Sequence, residues 1–277
     1  MSNLAPIGFS LSTTAAWGTA NFLGGYASRR VNPFVFATIA HLAALAFMIL
    51  VATTVHAPLL SKHALIWSLV AGTAGGLALA ILYASLSSGK MGLAAPVAGV
   101  LSAAIPAVAT MFREGSPGAP RLIGFALATL GVCLISRSDD KTERRVLGMA
   151  ILAGCGFAAY ALAIRQAGPG SAMWIEVHSR AAALFVTAAI TVYGRKLGDF
   201  RRSANLWGVA VGLVDVSGSV AFVRATQLGR LDTVVVLASL HPAVTVLLAL
   251  VLLKEKLTPW KAVGVCAALV AVPLIAS

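Results

Sequence analysis

The chain reads as an all-α integral membrane protein of ten transmembrane helices, built as two inverted five-helix repeats. Three observations predict this. Charged residues make up 11% of the 277 and the hydrophobic set 59%, whereas a soluble domain carries about 25% charge. Ten apolar stretches follow one another, each roughly the 20 residues that a spanning helix needs. Residues also recur at an offset of 140: Trp67 and Trp207, Gly72 and Gly212, Gly89 and Gly229, Gly124 and Gly264, and the basic pair Lys90 and Arg230. A doubled hydrophobic unit with a basic linker is the plan of many secondary transporters, whose site lies where the repeats meet.

The first span, 7–27, is followed by Arg29 and Arg30, which hold it as an anchor. It lacks the basic leader of a cleavable signal peptide. The second span covers 33–53 and the third 64–86, where Gly72-Thr-Ala-Gly-Gly76 spaces small residues by four and marks a tight helix contact. The fourth, 91–112, carries Pro96 and Pro106. The fifth, 121–136, is short and has room to begin before Arg121. The polar run from Arg137 to Arg145 then divides the chain nearly in half, giving repeats over 1–138 and 146–277 with a charged linker at 139–145. Five is odd, so the second copy enters the membrane the opposite way round. Its spans are 146–166, 171–193, 205–226, 231–252 and 258–276. The eighth repeats the small-residue spacing in Gly208-Val-Ala-Val-Gly212, and the ninth holds Pro242. Cys133, Cys155 and Cys266 fall within spans without metal-type spacing and read as small buried apolar residues.

The net charge of +12 is spread over short loops rather than gathered in a patch, so nucleic acid is not the expected partner. Odd-numbered connections hold 13 Lys and Arg, from Arg29 to Lys256, and even-numbered ones hold 5. That bias places both termini outside and the 137–145 linker in the cytoplasm.

An early Trp17-Gly18 pair, a basic residue near the middle of the second helix of a repeat, a Pro in helices 4 and 9, and Leu253-Lys-Glu-Lys-Leu-Thr-Pro-Trp-Lys-Ala-Val-Gly264 leading into the last helix together carry a family resemblance. The chain resembles the EamA-type members of the drug/metabolite transporter superfamily over essentially its whole length, most strongly in the second half. The resemblance implies a ten-helix carrier of small metabolites, often outward. Two features depart from it. The mid-membrane Arg is His41 in the first copy and Arg180 in the second, and the resemblance implies cytoplasmic termini where the loop charges put them outside.

An ionisable group in hydrocarbon costs at least about 2.5–3.5 kcal/mol, so each one needs a reason. Asp215 lies mid-helix among small and polar neighbours, as a substrate or proton site or as the packing partner of an arginine. Glu176 and Arg180 are four apart and share a helix face, where an ion pair buries both. Arg180 is too deep to reach the interface and suits either Asp215 or a substrate carboxylate, which arginine grips as a fork. His178 projects elsewhere and reads as packing or as a proton carrier. His41 is the counterpart of Arg180, and an imidazole can change charge near neutral pH. His241 precedes Pro242, where a missing N–H frees a carbonyl. Interrupted helices in both repeats, at Pro96, Pro106 and Pro242, point to the site. Trp17, Asn21, Tyr83 and Tyr160 are candidate pocket walls, with an interfacial role as the alternative for the aromatics. Arg165 and Arg224 lie near helix ends and reach the interface.

These residues describe a carrier for a small polar or amphipathic metabolite such as an amino acid, exporting it by alternating access. A zwitterion would satisfy both signs of charge at once. Proton coupling would fall to Asp215, Glu176, His41 or His178. The alternatives are a flippase component for lipid-linked sugars, a lipid-acting membrane enzyme, or a scaffold. No Walker A loop, nucleophile elbow or metal-spaced His/Asp set is present, so no enzyme, cofactor or metal is expected. The expected partners are the bilayer, the substrate and protons, without nucleic acid or an obligate protein partner, and the compact loops suit a bacterial inner membrane.

Overall fold

The computed structural model describes residues 4–114, 118–136, 141–194, 202–229, 234, 237–254 and 258–276. They form α1 (Leu4–Ala27), α2 (Pro33–Thr54), α3 (Lys62–Leu86), α4 (Met91–Glu114) and α5 (Ala119–Ser136), then α6 (Lys141–Ala167), α7 (Ala172–Tyr193), α8 (Arg202–Leu228), α9 (His241–Leu252) and α10 (Pro259–Ala276). Among the described residues there is no strand. Helix starts follow local chemistry. The Asn32 side chain accepts from the amide of Phe34 ahead of Pro33, Ser61 caps α3 through Ala64, and Ser171 caps α7 through Trp174.

Five helical stretches, Pro33–Thr54, Lys62–Leu86, Glu143–Ala167, Ala172–Tyr193 and Leu206–Leu228, are long and apolar enough to cross a membrane by length and composition. Their outer faces carry exposed apolar side chains such as Leu50, Ile66, Leu152, Phe185 and Leu206, the surface that lipid would cover.

Glycines bring the halves together. A Cβ on Gly72 would strike the backbone of Ser179, and one on Gly212 would strike the backbone of Ala40. These are the same contact made twice, α3 on α7 and α8 on α2, and the small-residue spacing marks both. Gly154 likewise closes on Leu101 and the Ala98 carbonyl, and Gly18 on Val244 and the His241 carbonyl. Thus α6 on α4 repeats as α1 on α9. At the centre of this pairing Gly99 meets Pro242.

Contact order along each pair gives directions. Gly24 and Gly25 of α1 meet Tyr83 and Leu86 of α3, and Thr14 and Gly18 of α1 meet Leu237 and His241 beside α9. These pairs run parallel. Pro6 and Trp17 of α1 meet Gly229, just past the end of α8, and Gly218 within it, in reversed order, and Ser85 and His63 of α3 bond Val146 and Gln166 of α6. These run antiparallel. Helix α3 therefore runs against α8, and α1 against α6.

Three expectations need correction. The ninth span is not one helix over 231–252: the continuous helix starts at His241 behind a turn at Ser239–Leu240. Pro242 sits in the first turn of α9, where a missing amide costs nothing. Residues 141–145, read as linker, form the first turns of α6, with Glu143 buried and its Oε1 accepting from Lys90 Nζ at 2.9 Å. Residues 137–140 lie outside the described residues. Cys155 and Cys266 are exposed on outer helix faces, not buried, and the Cys133 side chain lies outside the description.

Candidate functional site

Helices α1, α2, α3, α4, α6, α7 and α8, with the start of α9 and the residues just before it, line a partly open cavity of about 80 Å³. A bound water needs at least ~10–15 Å³ of such space, so it holds about six waters or one small solute. Trp17, Asn21, His41, Tyr160, Arg180, Asp215 and His241 all line it, bringing together residues far apart in both halves.

Arg180 is the hub. It is buried on α7, and its Nη1 lies 2.6 Å from Asp215 Oδ2 on α8. Its Nε donates to Glu176 Oε2 one turn earlier at 3.2 Å, and its Nη2 donates to Ser219 Oγ at 2.5 Å. Nη1 also faces His41 Nδ1 on α2 at 3.4 Å. A guanidinium only donates, so Nδ1 is the accepting nitrogen of His41, and the imidazole proton belongs on Nε2, which is buried without a hydrogen-bond partner among the described residues.

Around this hub most polar groups have partners; among the described residues His41 Nε2 and Asp215 Oδ1 are the exceptions. Glu176 is fully buried behind the wall, its Oε1 accepting from the Tyr160 hydroxyl at 3.1 Å. Ser219 accepts from the Trp17 indole N–H at 3.2 Å as well as from Arg180, and donates to the Asp215 carbonyl at 3.2 Å. Two carboxylates and a guanidinium are thus held in a low-dielectric interior by hydrogen bonds as well as charge, the condition under which burying them is tolerable.

The break before α9 is satisfied from two sides. Pro242 has no N–H for the Ala238 carbonyl four residues back. His241 Nδ1 takes that carbonyl at 2.9 Å, and Thr14 of α1 donates to the Leu237 carbonyl at 2.5 Å. His241 thus bonds back across the break, and its ring lies at the cavity edge-on to Trp17 at 5.9 Å.

Four expected residues stand elsewhere. Tyr83 does not line the cavity. It is buried between α1 and α2, its ring against Gly24 and edge-on to Phe36. His178 bonds the Trp174 carbonyl at 2.7 Å, apart from the cavity lining. Pro96 and Pro106 lie inside α4 and do not reach the cavity wall. Arg165 and Arg224 are exposed, as read. Sequence reasoning missed Ser219 and Phe222, which share the inward face of α8 with Asp215 at spacings of four and seven. That spacing was the available signal.

No curated protein matches the chain. A solved structure described only as a crystal structure of a protein is similar to it, with a TM-score of 0.69 at 16% identity, over 98% of this chain and 97% of its own. That likeness concerns the fold alone. The model of the EamA-like transporter family matches residues 144–277, the half that holds Arg180, Glu176, Asp215 and Ser219, so the second half of the chain carries the signature of this family of the drug/metabolite transporter superfamily.

Proposed function

We propose that the protein is a secondary carrier of small polar or amphipathic metabolites, amino acids among them, working outward by alternating access. In this reading two inverted five-helix repeats, ten spans in all, rock about a shared cavity in a bacterial inner membrane, with the 137–145 linker cytoplasmic. The observation that carries it is the Arg180–Asp215–Glu176 network at the cavity where α2 of one half meets α7 of the other. Mirrored glycine contacts and opposed helix directions support the inversion. Buried charge of this kind is costly in a membrane and is kept where something polar must pass. Asp215, Glu176 and His41 surround the hub and are the groups that proton coupling would use, whereas His178 stands apart from it.

The test is flux of a labelled amino-acid and metabolite panel in proteoliposomes, with and without a pH gradient, for the intact protein, Arg180→Ala and Asp215→Asn. Selective flux that either substitution abolishes supports the carrier. Absence of flux for every compound, with all three proteins folded, removes it.

A further inference from the structure

The cavity offers its ligand a negative acceptor and no free cationic fork. Arginine has five N–H donors, and four of those on Arg180 are engaged by Glu176, Asp215, His41 and Ser219. A carboxylate gripped as a fork needs two parallel donors, and one remains. Asp215 is in the reverse condition. Its Oδ2 is held by Arg180, while its Oδ1 has no partner among the described residues. The side chain is 8% exposed, and the residue lines the cavity.

His41 adds no positive charge, because its Nδ1 accepts from the guanidinium. Further along the same face of α8 the wall turns apolar and aromatic. Trp17 and Phe222 lie 5.2 Å apart, and Tyr160 lies 6.4 and 6.2 Å from them. Phe222 is seven residues from Asp215, about 10 Å along the helix.

We infer that the cavity binds an amphipathic organic monocation, its ammonium N–H groups donating to Asp215 Oδ1 and its apolar body lying against Trp17, Tyr160 and Phe222. The inference rests on the carrier reading and narrows it. The positive amine is the recognised handle, and a substrate carboxylate is not required. An amino acid would bind through its ammonium, and an amine without a carboxylate would bind at least as well.

Three probes share one body and differ in the head: 2-phenylethylammonium, 2-phenylethanol and 3-phenylpropionate. Binding to the purified full-length protein in detergent is read by tryptophan fluorescence and by the rise in melting temperature. The ammonium should bind at least tenfold more tightly than the alcohol, and the carboxylate should not compete. Methylammonium, which has the head without the body, should bind at least fivefold more weakly than 2-phenylethylammonium. Asp215→Asn should remove the preference for the ammonium over the alcohol. Because that change also disturbs Arg180, Phe222→Leu serves as the second variant. It touches no hydrogen bond of the hub and should narrow the gap between methylammonium and 2-phenylethylammonium. Equal binding of ammonium and alcohol, or competition by the carboxylate, overturns the inference. Proteoliposome counterflow separates the two readings. Tight ammonium binding without flux of any compound leaves the cation site standing and removes the carrier. Flux of 3-phenylpropionate without an ammonium preference does the opposite.

Discussion

Ser219 joins groups from two other helices through one hydroxyl: Arg180 of α7, Trp17 of α1 and the Asp215 carbonyl of its own turn. Ser219→Ala leaves a guanidinium N–H and an indole N–H short of an acceptor, about 1–3 kcal/mol for each buried group. Its melting temperature should fall and flux should drop, while Ser219→Thr, which keeps the hydroxyl, should restore most of both. Removing charges should rank differently from removing hydroxyls. Arg180→Ala strands two carboxylates, whereas Glu176→Gln leaves Arg180 paired with Asp215. Breaking a buried pair costs about 3–5 kcal/mol, so Arg180→Ala should melt lowest in a thermal-shift series and Glu176→Gln should stay nearer the intact protein. The Glu176–Arg180 pair was legible in the sequence because a spacing of four leaves little choice of geometry. Asp215 was legible as a lone acid in mid-helix. Ser219 was not, since a helix serine ordinarily bonds its own preceding turn and nothing in the residue type tells of a second partner. Tyr83 misled for a related reason: a tyrosine at the right depth does not declare which neighbour its ring faces.

At the scale of single helices, glycine spacing was a reliable guide and proline position was not. The four-residue spacing in α3 and α8 became two backbone contacts, on Ser179 and Ala40. Gly72→Ala and Gly212→Ala should each force a helix pair apart and cost about 1–3 kcal/mol. Gly8 and Gly148, with open space around them, should accept alanine freely in the same melting assay. Pro242 suggested a kink within a span, yet it lies in the first turn of α9. The break itself is held by Thr14 from another helix, a partner that local sequence cannot reveal. The cysteines failed for the reason that makes membrane helices hard to read. With apolar residues on every face, hydrophobicity does not separate the buried side from the lipid side. Cys155 and Cys266 should therefore resist a water-soluble maleimide in membranes and react with it once the protein is unfolded in detergent. Rapid labelling of both by the polar reagent would place those faces in water instead.

For the whole molecule, the helix directions gather the basic connections at one end. The C-terminal ends of α1, α3, α7 and α9 lie together with the N-terminal ends of α6 and α8. Arg29, Arg30, Lys90, Arg144, Arg145 and Lys254 thus share a face with the exposed Tyr26, Tyr193 and Trp207. Single cysteines at 29, 90, 144 and 254 should be labelled from the same side of intact cells, and one at 62 from the other. A mixed pattern would refute the common face. The mirrored glycine contacts of α3 and α8 were legible from their four-residue spacing. The register between the copies was not, because the offset changes along the chain: 140 between Gly72 and Gly212, 136 between Gly18 and Gly154, and 143 between Gly99 and Pro242. Small differences of length in the turns shift a match without disturbing the packing.

The mirrored contact of Gly72 and Gly212 sets His41 against Arg180 and Gly75 against Asp215, so the copies agree in shape and disagree in charge. Two identical halves would make the inward and outward conformers equal in energy, like the faces of a fair coin. This coin is weighted: the ion pair belongs to one half only, and each 1.4 kcal/mol of imbalance tilts the odds tenfold. On the carrier reading, a preferred resting side is thus written into the chain by a single broken likeness, without any separate regulator.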